Sequence, residues 1–203
     1  MLLRKLKADR NAKGRITVGL VGTHHGAGVT HTGLMLSFYL GEEAGLKTAF
    51  LECNQHHDLE LIERAYEWQE KGQGTFSFRN ITCHKAVIPP QIPHIYGEAY
   101  ESLVLDFGTD YMANQEEFLR CGIKIVVGGA SEWDTPKLVQ FAKETAQLKG
   151  NEAWFYFISR SNDKRAAQIG HILQRRVWAV PTAIDPVLPS NSSNRFFRNI
   201  LNL

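Results

Sequence analysis

The sequence is poor in cysteine, has little excess charge of either sign, and contains no apolar stretch of membrane-spanning length. Its 203 residues include three cysteines, Cys53, Cys83 and Cys121. An odd number without metal-type pairing argues against a disulfide framework and fits free thiols in a reducing compartment. Lysine and arginine number 23 against 21 acidic residues, a net charge of +2. That leaves no whole-chain electrostatic case for nucleic acid as a partner. The first residues carry no apolar run long enough for a signal peptide, so a cytoplasmic protein is expected. The remaining composition, 43% hydrophobic and 22% charged, is that of an ordinary globular chain long enough for one domain with a sizeable core.

Residues 1–14 read as a basic, solvated tail with Arg4, Lys5, Lys7, Arg10 and Lys13. Residues 15–203 read as one domain. "RITVGLVG" (15–22) is an apolar, β-branched strand ended by glycine, followed by a Gly-containing loop and a helix over 30–43. "KTAFLEC" (47–53) is a second strand and 58–70 a second helix. The stretch 72–99 breaks the alternation as an excursion: "TFSFRN" and "ITCHKAV" suggest a hairpin, and "IPPQIPH" a proline-rich loop. Strands over 101–108, 123–129, 153–159 and 176–181 then alternate with helices over 112–121, 134–148, 163–174 and 192–202. The pattern predicts an α/β fold: a doubly wound, mostly parallel sheet flanked by helices.

The loop after the first strand, "GTHHGAGVTHTGL" (22–34), has the outline of a phosphate-binding P-loop, G-x-x-x-x-G-K-[ST], whose backbone amides cradle phosphate at a helix N-terminus. Gly28 and Thr30 occupy the second glycine and the hydroxyl positions, but Thr23 replaces the first glycine and Val29 the lysine. Read without other context, such a turn equally serves close packing of strand and helix. Asp106 ends the strand "ESLVLDFG", where a carboxylate in an open α/β sheet faces the ligand crevice.

Taken together, these segments resemble the ParA/MinD/TadZ group of deviant Walker ATPases over roughly residues 15–203. That family's loop reads K-G-G-x-G-K-[ST]. The run His24, His25, Gly26, Ala27, Gly28, Val29, Thr30 and His31 is similar in length and shape. His24 falls at the signature lysine, His25 at a glycine and Val29 at the P-loop lysine. The family's Asp-x-Asp after the second strand is here Glu52 and Asn54, so its water-orienting second carboxylate has become an amide. "YESLVLDFG" resembles the Walker B strand, with Asp106 at the Mg²⁺-associated aspartate. "YFISRSND" and "WAVPTAIDP" resemble the adenine-lining segments, which implicates Arg160 and Pro181.

The resemblance implies ATP or ADP as ligand, with Mg²⁺ on Thr30 and Asp106, protein partners, and a homodimer across the P-loop face. The residues themselves imply weak binding and no efficient hydrolysis. Phosphoryl transfer is mostly positioning and charge neutralisation. Valine supplies no charge, an unperturbed histidine is mainly neutral at pH 7, and an amide accepts protons poorly. A pseudo-ATPase acting as a localisation or assembly factor is therefore the expected function. The alternatives are an active ATPase in which His24 or a partner supplies the charge, and an anion or metal sensor. The metal reading would use the histidines at 24, 25, 31, 56 and 57 with Cys53 and Glu52. The amphipathic C-terminal helix, with Phe196, Phe197, Ile200, Leu201 and Leu203, could lie on a membrane as in MinD-type proteins, although docking onto the sheet is the commoner use of such a helix.

Overall fold

A computed structural model describes residues 14–66, 74–188 and 190–201. The basic tail up to residue 13, the expected helical residues 67–70, and Leu203 lie outside the described residues. Eight strands form one sheet in the order β3-β4-β2-β5-β1-β6-β7-β8. They are β1 (Ile16–Gly22), β2 (Thr48–Glu52), β3 (Thr75–Phe78), β4 (Ile81–His84), β5 (Ser102–Asp106), β6 (Ile123–Gly128), β7 (Phe155–Ile158) and β8 (Val177–Ala179). Every pairing is parallel except β3 with β4.

The helices are α1 (Val29–Phe38), α2 (Asp58–Ala65), α3 (Ile92–Tyr96), α4 (Gln115–Arg120), α5 (Thr135–Glu144), α6 (Asp163–Leu173) and α7 (Asn191–Leu201). A wider π-type turn over Tyr39–Glu43 continues α1. Because side chains alternate across a strand, each central strand feeds two cores. Val18, Leu20, Phe50, Val104, Ile125 and Phe157 face one core, with α1 and α7 packed on them. Leu51, Leu103, Leu105, Val126, Tyr156 and Ile158 face the other, beside Phe118, Leu138 and Ile169 of α4, α5 and α6. Burial on both faces accounts for the near-continuous apolar strands.

The expected hairpin is present, while the proline-rich stretch differs from the sequence reading. The hairpin of residues 75–84 is integral to the sheet, since β4 pairs in parallel with β2 and β3 forms the edge. The proline-rich stretch is not a plain loop: Pro89–Gln91 forms a 3₁₀ turn leading into α3. Proline is tolerated at the first helical positions, where its missing N–H would have had no intrahelical partner, so "IPPQIPH" can start a helix.

The C-terminal helix is docked. Phe197 is fully buried, Leu201 is 8% exposed, and Phe196 and Ile200 pack on the same core. Phe197 meets Tyr39 and Phe196 meets Phe157, at ring separations of 5.9 and 5.3 Å. Its apolar face is thus covered by the sheet side of the molecule. Among the described residues no helix is long and apolar enough to cross a membrane.

Candidate functional site

Strand β1 lies between β5 and β6, and the chain leaves these strands towards helices on opposite faces. The crevice at the carboxyl ends of strands flanking such a reversal is where open α/β sheets bind ligands. A cavity of about 490 Å³ opens there. It is lined by His24 through Thr32 of the loop and first turn of α1, by His56 and Asp58, by Gly108 and Thr109, and by Ser159 and Arg160. Val180, Pro181, Thr182 and Ala183 close its far side. Of the residues singled out in the sequence, His24 to His31, Arg160 and Pro181 meet here. Glu52, Asn54 and Asp106 do not line it.

The loop after β1 turns on two glycines. Gly26 and Gly28 have φ of 80° and 94°, a left-handed conformation that glycine adopts without strain. Gly28 is the N-cap of α1, with no side-chain cap and no acidic residue in the first turn, so no carboxylate competes for that helix terminus. The loop is braced from β7: Ser159 Oγ donates to the Ala27 carbonyl at 2.7 Å, and the Arg160 guanidinium donates to the Gly26 carbonyl at 2.8 Å.

Both positions that held lysines in the resembling family are otherwise engaged. Val29 is 6% exposed, and its Cγ2 lies 2.6 Å from where a Cβ on Gly22 would stand. The isopropyl group is thus packed onto the end of β1, and Gly22 is what permits that approach. His24 Nε2 sits 3.1 Å from Asp134 Oδ1, while its Nδ1 is 3.0 Å from the Thr23 hydroxyl. Burial holds the His24 pKa below its ordinary value, against the pull of Asp134, with Lys137 and Arg160 adding to the depression. Asp134 also accepts from Ser131 and Lys137. His24 is therefore a neutral, hydrogen-bonded ring at pH 7, not a free cation.

The acidic residues divide into two kinds. Glu52 is fully buried and structural: Oε1 accepts from the Leu59 amide and Oε2 from the Ala86 amide, both at 3.1 Å. Asn54 is also committed. Its Nδ2 donates to the Asp106 carbonyl at 3.1 Å and its Oδ1 accepts from the His56 amide at 3.0 Å. A carboxylate could make only the second bond. Asn54→Asp should therefore lose stability, by about 1–3 kcal/mol for the lost donor and the acceptor left facing it. Urea denaturation measures this, and a variant as stable as the parent would contradict the assignment.

Asp106 is the exception. It is fully buried; Oδ1 accepts from the Gly108 amide at 2.8 Å, but Oδ2 has no hydrogen-bond partner. Burial raises its pKa to about 6, against the opposing effect of the Thr30 hydroxyl and the Gly108 amide, with Glu52 and Asp58 adding to the rise. Although near Asp106, the Thr30 hydroxyl donates to Asp58 Oδ2 at 3.3 Å. A buried carboxylate oxygen without a partner, next to a hydroxyl, suits a hard divalent cation with oxygen ligands. Thr30 and Asp106 thus fit Mg²⁺.

The histidines do not gather into a metal site. Among the described residues no three His, Cys, Asp or Glu side chains are grouped to hold a metal. His25 and His56 face each other with ring centres 5.2 Å apart. His31 is half-buried with its pKa lowered by burial, although its ring donates to the Ala183 carbonyl and Asp185 is near. His57 is exposed, in left-handed conformation at the start of α2. Cys53 is buried in the other core, where burial pushes its thiol pKa well up, so it is no thiolate ligand.

Asp58, Ser159 and Asp134 are site residues that sequence reasoning missed. Asp58 reads from sequence only as an acidic residue opening a helix. Ser159 adjoins the singled-out Arg160, and Asp134 opens a helix by a β6 loop at the same sheet edge; topology was the available signal for both.

This is a P-loop-type α/β fold, with the glycine-containing loop at the carboxyl end of β1 and Asp106 at the end of β5. More particularly it is the fold of the ParA and MinD ATPases. Comparison with solved structures finds a putative plasmid partition protein of Borrelia burgdorferi, bound to AMPPNP, at a TM-score of 0.67 and 13% identity, covering 94% of this chain and 98% of that one. A ParA family ATPase of Chlorobium tepidum superposes with a TM-score of 0.63 and 13% identity, covering 94% and 93%. The septum site-determining protein MinD of Pyrococcus horikoshii, complexed with Mg-ADP, gives 0.64 at 13% identity over 91% and 93%. By sequence the chain matches no protein-family model and no curated protein.

Proposed function

We propose that this chain is a ParA/MinD-type pseudo-ATPase, a cytoplasmic localisation or assembly factor that binds adenine nucleotide weakly and works through protein contacts. The observation that carries this reading is the fate of the two lysine positions. Val29 is packed onto β1, and His24 is tied to Asp134, so the phosphate end of the cavity has lost both charges that the loop would present. The backbone cradle, the helix N-terminus and the Thr30–Asp106 corner remain, which supports residual binding of a nucleotide with Mg²⁺. Two structures of this fold were solved with AMPPNP and with Mg-ADP.

A second copy of the chain is the favoured partner for that face. Met112 and Trp133, on the loops after β5 and β6 and thus on the same edge as the P-loop, are 76% and 73% exposed. Large apolar side chains this exposed beside a binding cleft favour a protein contact. Nucleic acid is not an expected partner at a net charge of +2.

Steady-state ATP hydrolysis should be indistinguishable from background. Removing one preorganised charge-stabilising group costs about 10²–10³ in rate, and here the equivalents of two lysines and a carboxylate are gone. Phosphate release well above background, abolished by Asp106→Ala, would favour the active-ATPase alternative and end this reading.

A further inference from the structure

We propose that Asp58 supplies a second carboxylate to the divalent cation fitted by Thr30 and Asp106, taking over the acidic role that Asn54 has given up. The inference rests on the nucleotide-site reading of the cavity. It assigns to this chain an acidic residue four positions beyond the one the fold's relatives would suggest.

Three observations converge on Asp58. It lines the cavity, which Asn54 does not. Its Oδ2 accepts from the Thr30 hydroxyl at 3.3 Å, so it already shares one cation-ligand candidate. Behind the cavity lining, the fully buried Asp106 has an Oδ2 without a partner and is close enough to Asp58 to feel its charge. A hydrogen-bonded hydroxyl and carboxylate, with an unsatisfied buried carboxylate oxygen close by, offer the oxygen donors that Mg²⁺ or Mn²⁺ takes, completed by water.

The backbone around Asp58 is also fixed in advance. Glu52 Oε1 holds the Leu59 amide, one residue on. Asn54 Oδ1 holds the His56 amide, two residues before, and His57 takes the left-handed turn between them at φ 57°. The amide at position 54 therefore shapes the turn that presents Asp58, whereas Asp58 provides the charge. The competing account is that Thr30–Asp58 only ties α1 to α2.

The substitution Asp58→Asn separates the two, because the asparagine Oδ1 still accepts from Thr30 while the charge is removed. Mn²⁺ titrated into the nucleotide-free protein, followed by electron paramagnetic resonance of the free ion, should show one bound ion per chain. Asp58→Asn and Asp106→Asn should each weaken it about tenfold or more, the loss expected for one charged ligand bond, and Asp58→Asn should leave the thermal midpoint of the metal-free protein unchanged. Mn²⁺ bound by Asp58→Asn as tightly as by the parent, or no Mn²⁺ bound by the parent, overturns the proposal. A parallel titration with ADP keeps the two readings apart: an intact Mn²⁺ site in a chain that binds no ADP would refute the nucleotide reading and leave the Asp58 assignment standing.

Discussion

Asp106→Asn should make the metal-free protein more stable at neutral pH, by about 1–3 kcal/mol. The parent's carboxyl has its pKa raised from 3.8 to about 6 in the fold, by burial first. Its charged form is thus the disfavoured one. Between pH 4 and 6 the folded state retains a proton that the unfolded state has released, so stability falls as pH rises through that window, and the full cost is present above pH 6. About two pKa units at 1.36 kcal/mol each set a ceiling of roughly 3 kcal/mol. Asparagine carries no charge, keeps an oxygen for the Gly108 amide, and can donate to the nearby Thr30 hydroxyl oxygen. Chemical denaturation in EDTA at pH 5 and pH 7.5 checks this. The parent should be more stable at pH 5 in this respect, and the variant should lose that difference. Mg²⁺ should stabilise the parent at pH 7.5 more than it stabilises the variant. A variant less stable than the parent at pH 7.5 would show that the buried charge already has a partner.

Val29→Lys combined with His24→Lys should tighten MgATP binding by about tenfold for each lysine that reaches a phosphate, since a charge-assisted hydrogen bond contributes roughly 1.5–3 kcal/mol. The loop is formed for it: Gly26 and Gly28 hold left-handed conformations, and Ser159 and Arg160 brace its carbonyls. A lysine at position 29 can leave its methylenes where the isopropyl packs against β1 and extend its amine into the cavity. At position 24 it competes with Asp134, which already has Lys137. The Val29 change should therefore give the larger share. Hydrolysis should remain slow, because Asn54 is held between the Asp106 carbonyl and the His56 amide. Calorimetric titration of the folded variant decides the matter. No tightening over the parent would mean that the loop serves as a structural turn.

The fold was legible in the sequence because alternating apolar strands and amphipathic helices carry strong periodic signals. The parallel sheet and the docked C-terminal helix follow from that pattern. Element ends were less legible: 112–121 was expected to be helical, but the helix begins at Gln115 after a turned segment. Local propensity does not mark where a loop closes onto a sheet edge. The turn between β1 and α1 was readable by its glycines, and the strand-end place of Asp106 by the apolar run before it. What the sequence could not convey is how each polar side chain spends its hydrogen bonds. Glu52 and Asn54 look like remnants of a catalytic pair, yet they hold backbone amides and carbonyls around the turn before α2. His24 looks like a stand-in cation, yet burial disfavours its charge, and its ring is tied to Asp134 after β6 instead of facing the cavity as a free cation. Asp58 is separated from Thr30 by 28 residues, and only the fold brings the first turns of α1 and α2 together.

The most direct test of a retained but weakened nucleotide site is calorimetric titration of the parent protein with ATP, with and without Mg²⁺, followed by assay of the recovered nucleotide. The account predicts one site per chain, a dissociation constant of roughly 0.1 mM or weaker, one or two tenfold steps above the micromolar range, tighter binding with Mg²⁺ than without, and ATP recovered intact. Submicromolar binding with ADP accumulating, or no binding heat at millimolar ATP, would contradict it.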